Sequence, residues 1–297
     1  MAKVQRFVSN DFTIRAAAID ATEVVAHMQQ LHNSYPVATA GVGKAMVGAI
    51  LLASQLKDKQ QIGLLFRGNG PLKSIYAEAD FEGHVRAYTP NPQYQPLSYE
   101  GGLKLSDAIG NGTLTVARHT PFQKQPFNGM VDIVSGEIGE DIAHYLHQSH
   151  QTRSIVALGI YIDPHGKVLH AGGVIIEVMP GVEESIVDLL QKNTDEKKPS
   201  VSKILREGGL PIDLLRPYME GIAFTQLDHS YEVAYHCPCN EERVEAALQV
   251  LGEADLQDMI DKKEEPEITC QMCGKPYKFN VDKVIEIRNL LYKNSLN

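Results

Sequence analysis

The residues best suited to chemistry are four cysteines near the carboxy terminus, in His236-Cys237-Pro238-Cys239-Asn240 and Cys270-Gln271-Met272-Cys273-Gly274, and the sequence holds no others. A C-x-C and a C-x-x-C supply four thiolates in two tight pairs. Two such turns brought together make a closed tetrahedral cage, for which Zn2+ is the usual occupant. A closed cage leaves no position for a substrate. Cys237, Cys239, Cys270 and Cys273 therefore point to one structural or switching zinc per chain, not to a hydrolytic one.

The elements that must position these turns are short. Residues 231–235 read as a strand leading into the first turn. Asn240 reads as the cap of a helix in which Val244, Ala247, Leu248 and Leu251 recur at helical spacing. Gly252 stops it, and Leu256, Met259 and Ile260 mark a further turn or two. Ile268-Thr269 leads into the C-x-x-C, residues 277–279 leave it as a strand, and Asp282 is expected to cap a final helix. A unit of residues 231–297 is too small to depend on its apolar core alone. Structural zinc contributes an apparent ~10–16 kcal/mol in small finger peptides, enough to decide whether such a unit folds.

Composition narrows the function classes. The apolar fraction of 43% with 22% charged residues is that of a globular chain. The amino terminus lacks the apolar stretch and cleavage site of a signal peptide, and the longest apolar run, 45–53, is short for a bilayer span. A cytosolic location without membrane association is expected, where paired cysteines serve metal or redox chemistry rather than a disulfide scaffold. With 28 basic against 37 acidic residues the formal charge is −9, and no basic stripe appears; the nearest basic pair, Lys197-Lys198, follows Asp195-Glu196. Nucleic acid is therefore not an expected partner.

Residues 1–180 read as a large α+β domain of antiparallel sheet with packed helices. A strand is expected at 12–16. A helix with Asp20 or Thr22 as cap carries Val24, Val25, Met28 and Leu31 on one face, and an almost uniformly apolar helix at about 39–57 turns Met46, Ile50 and Leu51 inward. Strands follow at 63–67, 74–79, 84–88 and 112–118, a proline-rich loop at 88–96, a helix at 137–149, and a buried strand at 154–162 that returns at 167–178. The runs lack regular βαβ alternation, which argues for α+β. Gly41-Val42-Gly43-Lys44 departs from a phosphate loop: Ala38 and Ala45 replace its glycine and hydroxyl, so close helix packing is the better account. His144, His147 and His150 drift around their helix without an evident fourth ligand and read as surface residues. No nucleophile elbow occurs, and nothing assembles a catalytic constellation, so the chain is not expected to be an enzyme.

Residues 181–230 differ in character. Short helices at 182–190 and 201–206 and an apolar stretch at 210–215 are separated by the polar run 192–199 and by Gly208-Gly209. Helices of so few turns must lean on neighbours. The segment reads as a metastable helical linker whose burial depends on what flanks it.

At this point the sequence resembles the redox-regulated heat-shock chaperones of about thirty-three kilodaltons, a family of zinc-holding holdases. Cys-Pro-Cys-Asn-Glu-Glu-Arg at 237–243 and Cys-Gln-Met-Cys-Gly-Lys-Pro-Tyr at 270–277 match the family's two cysteine motifs. Gly-Asn-Gly-Pro-Leu at 68–72, Gly-His-Val-Arg-Ala-Tyr at 83–88, Gly-Glu-Ile-Gly-Glu-Asp-Ile-Ala at 136–143 and Ala-Gly-Gly at 171–173 extend the likeness along the chain. One departure is Ser149-His150-Gln151, where many members carry an acidic residue in the middle position. The resemblance implies an ATP-independent chaperone for unfolding proteins under oxidative stress, inactive while reduced and zinc-bound. It further implies disulfides Cys237–Cys239 and Cys270–Cys273 on oxidation, zinc release, linker unfolding and a homodimeric active form.

The residue chemistry is compatible with that picture. Zinc keeps each sulfur as thiolate, the form that peroxide attacks, and each has a neighbour able to resolve a sulfenic acid as a disulfide. Loss of the metal removes folding energy from the small unit, after which the linker could expose Ile186, Leu189, Leu190, Ile204 and Leu214. Other readings stay open on the quartet alone. A constitutive zinc ribbon is the plainer one, and a nucleic-acid-binding ribbon is another, against which the acidic balance counts. A thiol-disulfide oxidoreductase would want its C-x-x-C at a helix start, whereas Cys270 follows Ile268-Thr269. His236 beside Cys237 reads as an uninvolved surface histidine rather than a substitute ligand.

Overall fold

The computed structural model describes residues 2–96, 104–121, 123, 125–197, 199–228 and 230–295, with backbone alone for 292–295. Lys198 of the basic pair lies outside the described residues. The chain divides into two units, Met1–His236 and Cys237–Asn297.

The first unit opens with strands β1 (Ala2–Ser9) and β2 (Ile14–Asp20), then helices α1 (Thr22–His32) and α2 (Pro36–Ala53). Strands β3 (Gln61–Gly68), β4 (Ser74–Asp80) and β5 (His84–Tyr88) follow, with α3 (Leu105–Ile109), β6 (Gly112–His119), β7 (Phe127–Asp132) and α4 (Ile138–His150). The hairpin β8 (Ser154–Ile162) and β9 (Val168–Val178) precedes helices α5 (Glu184–Lys197), α6 (Val201–Arg206) and α7 (Pro211–Leu215), and strands β10 (Phe224–Gln226) and β11 (Tyr231–Tyr235) close the unit. Among the described residues these strands form one eleven-stranded sheet in the order β7-β6-β3-β4-β5-β11-β1-β2-β9-β8, with β10 on β1. The α+β class expected from the sequence holds. The sheet is antiparallel except where β11 runs parallel to β5, pairing Ala234 with His84 and Tyr235 with Val85.

Residue alternation divides the sheet into two apolar faces. Val4, Ala17, Ile19 and Ile175 face the main core, where α2 lies buried almost throughout. By length and composition α2 is apolar enough to cross a membrane, yet 89% of that stretch is buried within the fold. It starts at Pro36, whose missing N–H costs nothing in a first turn. A Cβ on Gly41 would stand 2.8 Å from Ile75, and Lys44 pairs with Glu137, so the glycines serve close packing as the sequence suggested.

Phe7, Ile14, Ala16, Ala18, Val174 and Ile176 face the other way, and α5, α6 and α7 cover them with Leu190, Val201, Leu205, Leu214 and Leu215. The alanines keep this face flat enough for short helices to seat. At Gly159 a Cβ would stand 2.6 Å from the Ser202 nitrogen, so only glycine lets the start of α6 approach. The first of these helices is longer than expected. The polar run taken as its end continues as helix to Lys197, because Lys192 and Asp195 lie among its exposed residues while Asn193 turns inward.

Other differences have local causes. The strand at 231–235, read as the approach to the cysteines, pairs with β1 and β5 and belongs to the large sheet. β8 is mostly half-buried rather than buried. β1, α3, β7 and β10 were not anticipated.

The second unit contains α8 (Glu241–Gln249), α9 (Glu253–Lys262), the hairpin β12 (Glu267–Thr269) and β13 (Pro276–Lys278), and α10 (Val281–Ser295). Val244, Leu248, Leu256, Tyr277, Phe279, Val284 and Ile287 form its core. Ala247 and Leu251 of the expected stripe are exposed, since α8 gives way to turn at Val250 before a second apolar turn can form.

Candidate metal centre

Each cysteine turn is fixed by backbone before any metal is considered. The Asn240 side chain accepts the Arg243 N–H at 3.0 Å and starts α8 directly after Cys239. On the other side, the Ile268–Tyr277 and Thr269–Pro276 pairs of β12–β13 bring Cys270 and Cys273 into a tight knuckle. Cys270 donates its N–H to the Lys275 carbonyl and its own carbonyl accepts from Gly274 N–H at 2.8 Å. Gly274 adopts φ 68°, a left-handed conformation that suits glycine. The cap at the start of α10 is Asn280, whose side chain accepts the Lys283 N–H at 2.9 Å, not Asp282 as the sequence suggested.

None of the four cysteines is in a disulfide, all are half-buried, and their sulfurs lie within 4.8 Å of one another. The Cys237 and Cys270 sulfurs are 3.8 Å apart, and those of Cys239 and Cys273 are 3.3 Å apart. Thiolates bound tetrahedrally to zinc at about 2.3 Å stand roughly 3.8 Å from each other. The donor set, all sulfur and closed, fits zinc in spacing and in chemistry. Both of these contacts run between the two turns, which is the arrangement a shared ion requires.

Burial pushes the Cys239 thiol up, but hydrogen bonds from the Tyr277 hydroxyl and the neighbouring sulfurs outweigh it and bring it down to about 7. Burial pushes Cys273 upward, and the adjoining sulfurs add to that. The Tyr277 hydroxyl, 3.1 Å from the Cys239 sulfur, is held protonated by that bond first and by burial second. Sequence reasoning missed Tyr277 as part of the centre. The sequence puts it at the end of the second cysteine motif and in a strand, and its reach across to the first turn depends on the fold.

The other candidates separate from this centre. His236 packs against His84 with ring centroids 4.5 Å apart and the ring planes tilted by 37°, and its backbone N–H donates to the Val85 carbonyl. His150 bonds the Tyr145 hydroxyl at 3.1 Å. Among the described residues one other group could face a cation, Asp80, Glu82 and His84. There Asp80 already closes the β4–β5 turn by accepting the N–H groups of Glu82 and His84.

A four-thiolate centre in one unit, and in the other a large sheet with one face covered by short helices, define a zinc-binding α+β protein. The sequence profile described as "Hsp33 protein" matches residues 2–280. The 33 kDa chaperonin of Aquifex aeolicus is 37% identical over 290 residues, covering 96% of this chain and 88% of that protein. The 33 kDa chaperonin of Bacillus subtilis is 34% identical over 281 residues, covering 94% and 95%. The crystal structure of the 33 kDa chaperonin (heat shock protein 33 homolog) from Thermotoga maritima superposes with a TM-score of 0.88 at 31% identity, covering 98% of this chain and 99% of that one. The chain belongs to the Hsp33 family, which consists of redox-regulated chaperones and not of enzymes, and its clients are unfolded proteins.

Proposed function

We propose that the chain is an ATP-independent holdase switched by its own zinc centre: off while Cys237, Cys239, Cys270 and Cys273 hold the ion, on after oxidation. The observation that carries this reading is the gathering of four cysteine sulfurs into one cluster inside a unit with a core of few side chains. When bound, zinc supplies folding energy and keeps the sulfurs as thiolates. The chain's own residues do the rest. The two turns orient the sulfurs, Tyr277 holds one of them, and the half-buried setting leaves them open to a small oxidant.

Oxidation to Cys237–Cys239 and Cys270–Cys273 removes all four ligands. The physical support for these pairs is local: once the unit unravels, sulfurs two or three residues apart remain close, whereas the cross pairs need loop closure over the intervening helices. A second reading, Cys237–Cys270 with Cys239–Cys273, is favoured by the cross-turn sulfur contacts in the folded unit. Peptide mapping of the oxidised protein separates the two.

The linker then unfolds. Strands β10 and β11, between the seated helices and Cys237, hold the large sheet through short registers of two or three residues per partner. Their release would free α5–α7 and bare Leu190, Leu205 and Leu214 with the sheet face beneath for an unfolded client. The exposed face also favours a homodimer of the oxidised form. The cytosol is the proposed location, where reduced thiols make a zinc-bound resting state sustainable.

Titrating peroxide while following free thiols, released zinc and suppression of client aggregation tests this reading. The three are expected to move together. Full chaperone activity in the reduced zinc-bound form would contradict it.

A further inference from the structure

We infer that the Tyr277 hydroxyl is a positioning group that restrains the oxidation of Cys239, so that this one hydrogen bond helps set how much oxidant the switch requires. The inference rests on the redox reading above and names a residue that regulates it.

Tyr277 sits on β13, four positions after Cys273, and its hydroxyl reaches the sulfur of Cys239 in the other turn at 3.1 Å. The ring is buried with Phe279, Val284 and Ile287, fixed by the pairing of Tyr277 with Ile268 and by the Phe279 N–H bonded to the Pro266 carbonyl. The Lys275 ammonium lies 5.0 Å from the ring centre. A phenylalanine would fill the same apolar space. The hydroxyl adds a polar group that must find a partner when buried, and its partner is a zinc-ligating sulfur.

A hydrogen bond to a thiolate draws charge from the sulfur and fixes its orientation, as partners of metal ligands commonly do. Oxidation consumes that charge. The Cys239 sulfur attacks one oxygen of hydrogen peroxide, an S–O bond forms as the O–O bond breaks, and the departing hydroxide is protonated to water. A second cysteine thiolate attacks the sulfenic sulfur, forming the S–S bond and releasing that oxygen as a second water. Two sulfurs lose two electrons, one peroxide gains them, and two protons come from solvent. The lone pair that attacks peroxide is drawn toward Tyr277 until the hydrogen bond breaks, so the first step is slowed at this sulfur.

The test is Tyr277→Phe in the full-length, reduced, zinc-loaded protein. Two rates are read: zinc release driven by peroxide, and alkylation of Cys239 by N-ethylmaleimide resolved by mass spectrometry. Both are expected to rise on the order of tenfold, with one zinc still bound per chain and no added zinc loss without oxidant. Unchanged rates would overturn the inference. So would oxidant-free zinc loss rising in the same proportion, which would make Tyr277 a structural prop only. If the wild-type protein released no zinc with peroxide, the redox reading would fail, while the alkylation comparison would still decide the role of Tyr277.

Discussion

The side-chain amide of Asn193 in α5 donates to the backbone carbonyl of Tyr218 at 2.8 Å, inside the apolar layer that holds α5, α6 and α7 on the sheet. A second bond from the same nitrogen reaches the Glu220 carbonyl at 2.9 Å. One buried polar residue thus ties α5 to the segment after α7. Asn193→Ala leaves two carbonyls short of a donor, a cost of about 1–3 kcal/mol. The variant is expected to keep its zinc yet be cut faster by protease within residues 184–222 while still reduced. Wild-type cleavage rates would show that the stitch does not hold the linker.

The seat itself offers a second handle. Alanine at Gly159 would drive a methyl group against the backbone nitrogen of Ser202, 2.6 Å away. Overpacking of this kind costs about 1–3 kcal/mol. Gly159→Ala is expected to loosen α6 and bring activation at lower peroxide, because less of the linker's seating remains to be lost. Thermal unfolding with peroxide titration of the same sample checks both halves.

Much of this arrangement was legible in the sequence, for reasons that differ by segment. The cysteine turns were readable because metal ligation demands residue types at short spacing, and Cys237, Cys239, Cys270 and Cys273 do converge. The core helix α2 was readable from its unbroken apolar character. The full length of α5 was not: an exposed helix face looks like a polar loop, and the inward Asn193 gave no apolar signal within it. β1 escaped because Val4 and Phe7 face opposite sides of the sheet, each against its own core, so one-sided alternation is absent. The bond from Tyr277 to Cys239 joins residues far apart in the chain, and no local pattern encodes it.

Metal removal separates ion from oxidant. Chelation under reducing conditions is expected to abolish the helical signal of α8, α9 and α10 while the large sheet persists, since the small unit relies on the ion for its fold. Circular dichroism with and without added Zn2+ measures this, and re-addition should restore the signal. An unchanged spectrum after complete zinc removal would mean that the unit's apolar core suffices.

Glu177 provides a pH-dependent contribution on the sheet. It is buried and bonded through both oxygens to Arg15 at 3.2 Å, yet burial outweighs the arginine and pushes its carboxyl above the ordinary 4.5. The folded protein therefore holds this proton more tightly than the unfolded chain does. The stabilisation is fully present below the unfolded value and is lost as pH rises through the folded one. Glu177→Gln removes that dependence. The stability of wild type minus variant, from urea midpoints, is expected to fall as pH is raised from 4.5 toward neutrality; taking the difference cancels the zinc unit's own acid sensitivity. Parallel pH profiles would contradict it.

The central claim is that losing zinc at the four cysteines frees the linker from the sheet. Amide hydrogen exchange resolved by segment, measured at rising peroxide with zinc release in the same samples, tests it most directly. The account predicts that α5, α6 and α7 lose protection in step with zinc release while β9 beneath them stays protected. Linker amides that remain protected after zinc has left and client is bound would contradict it.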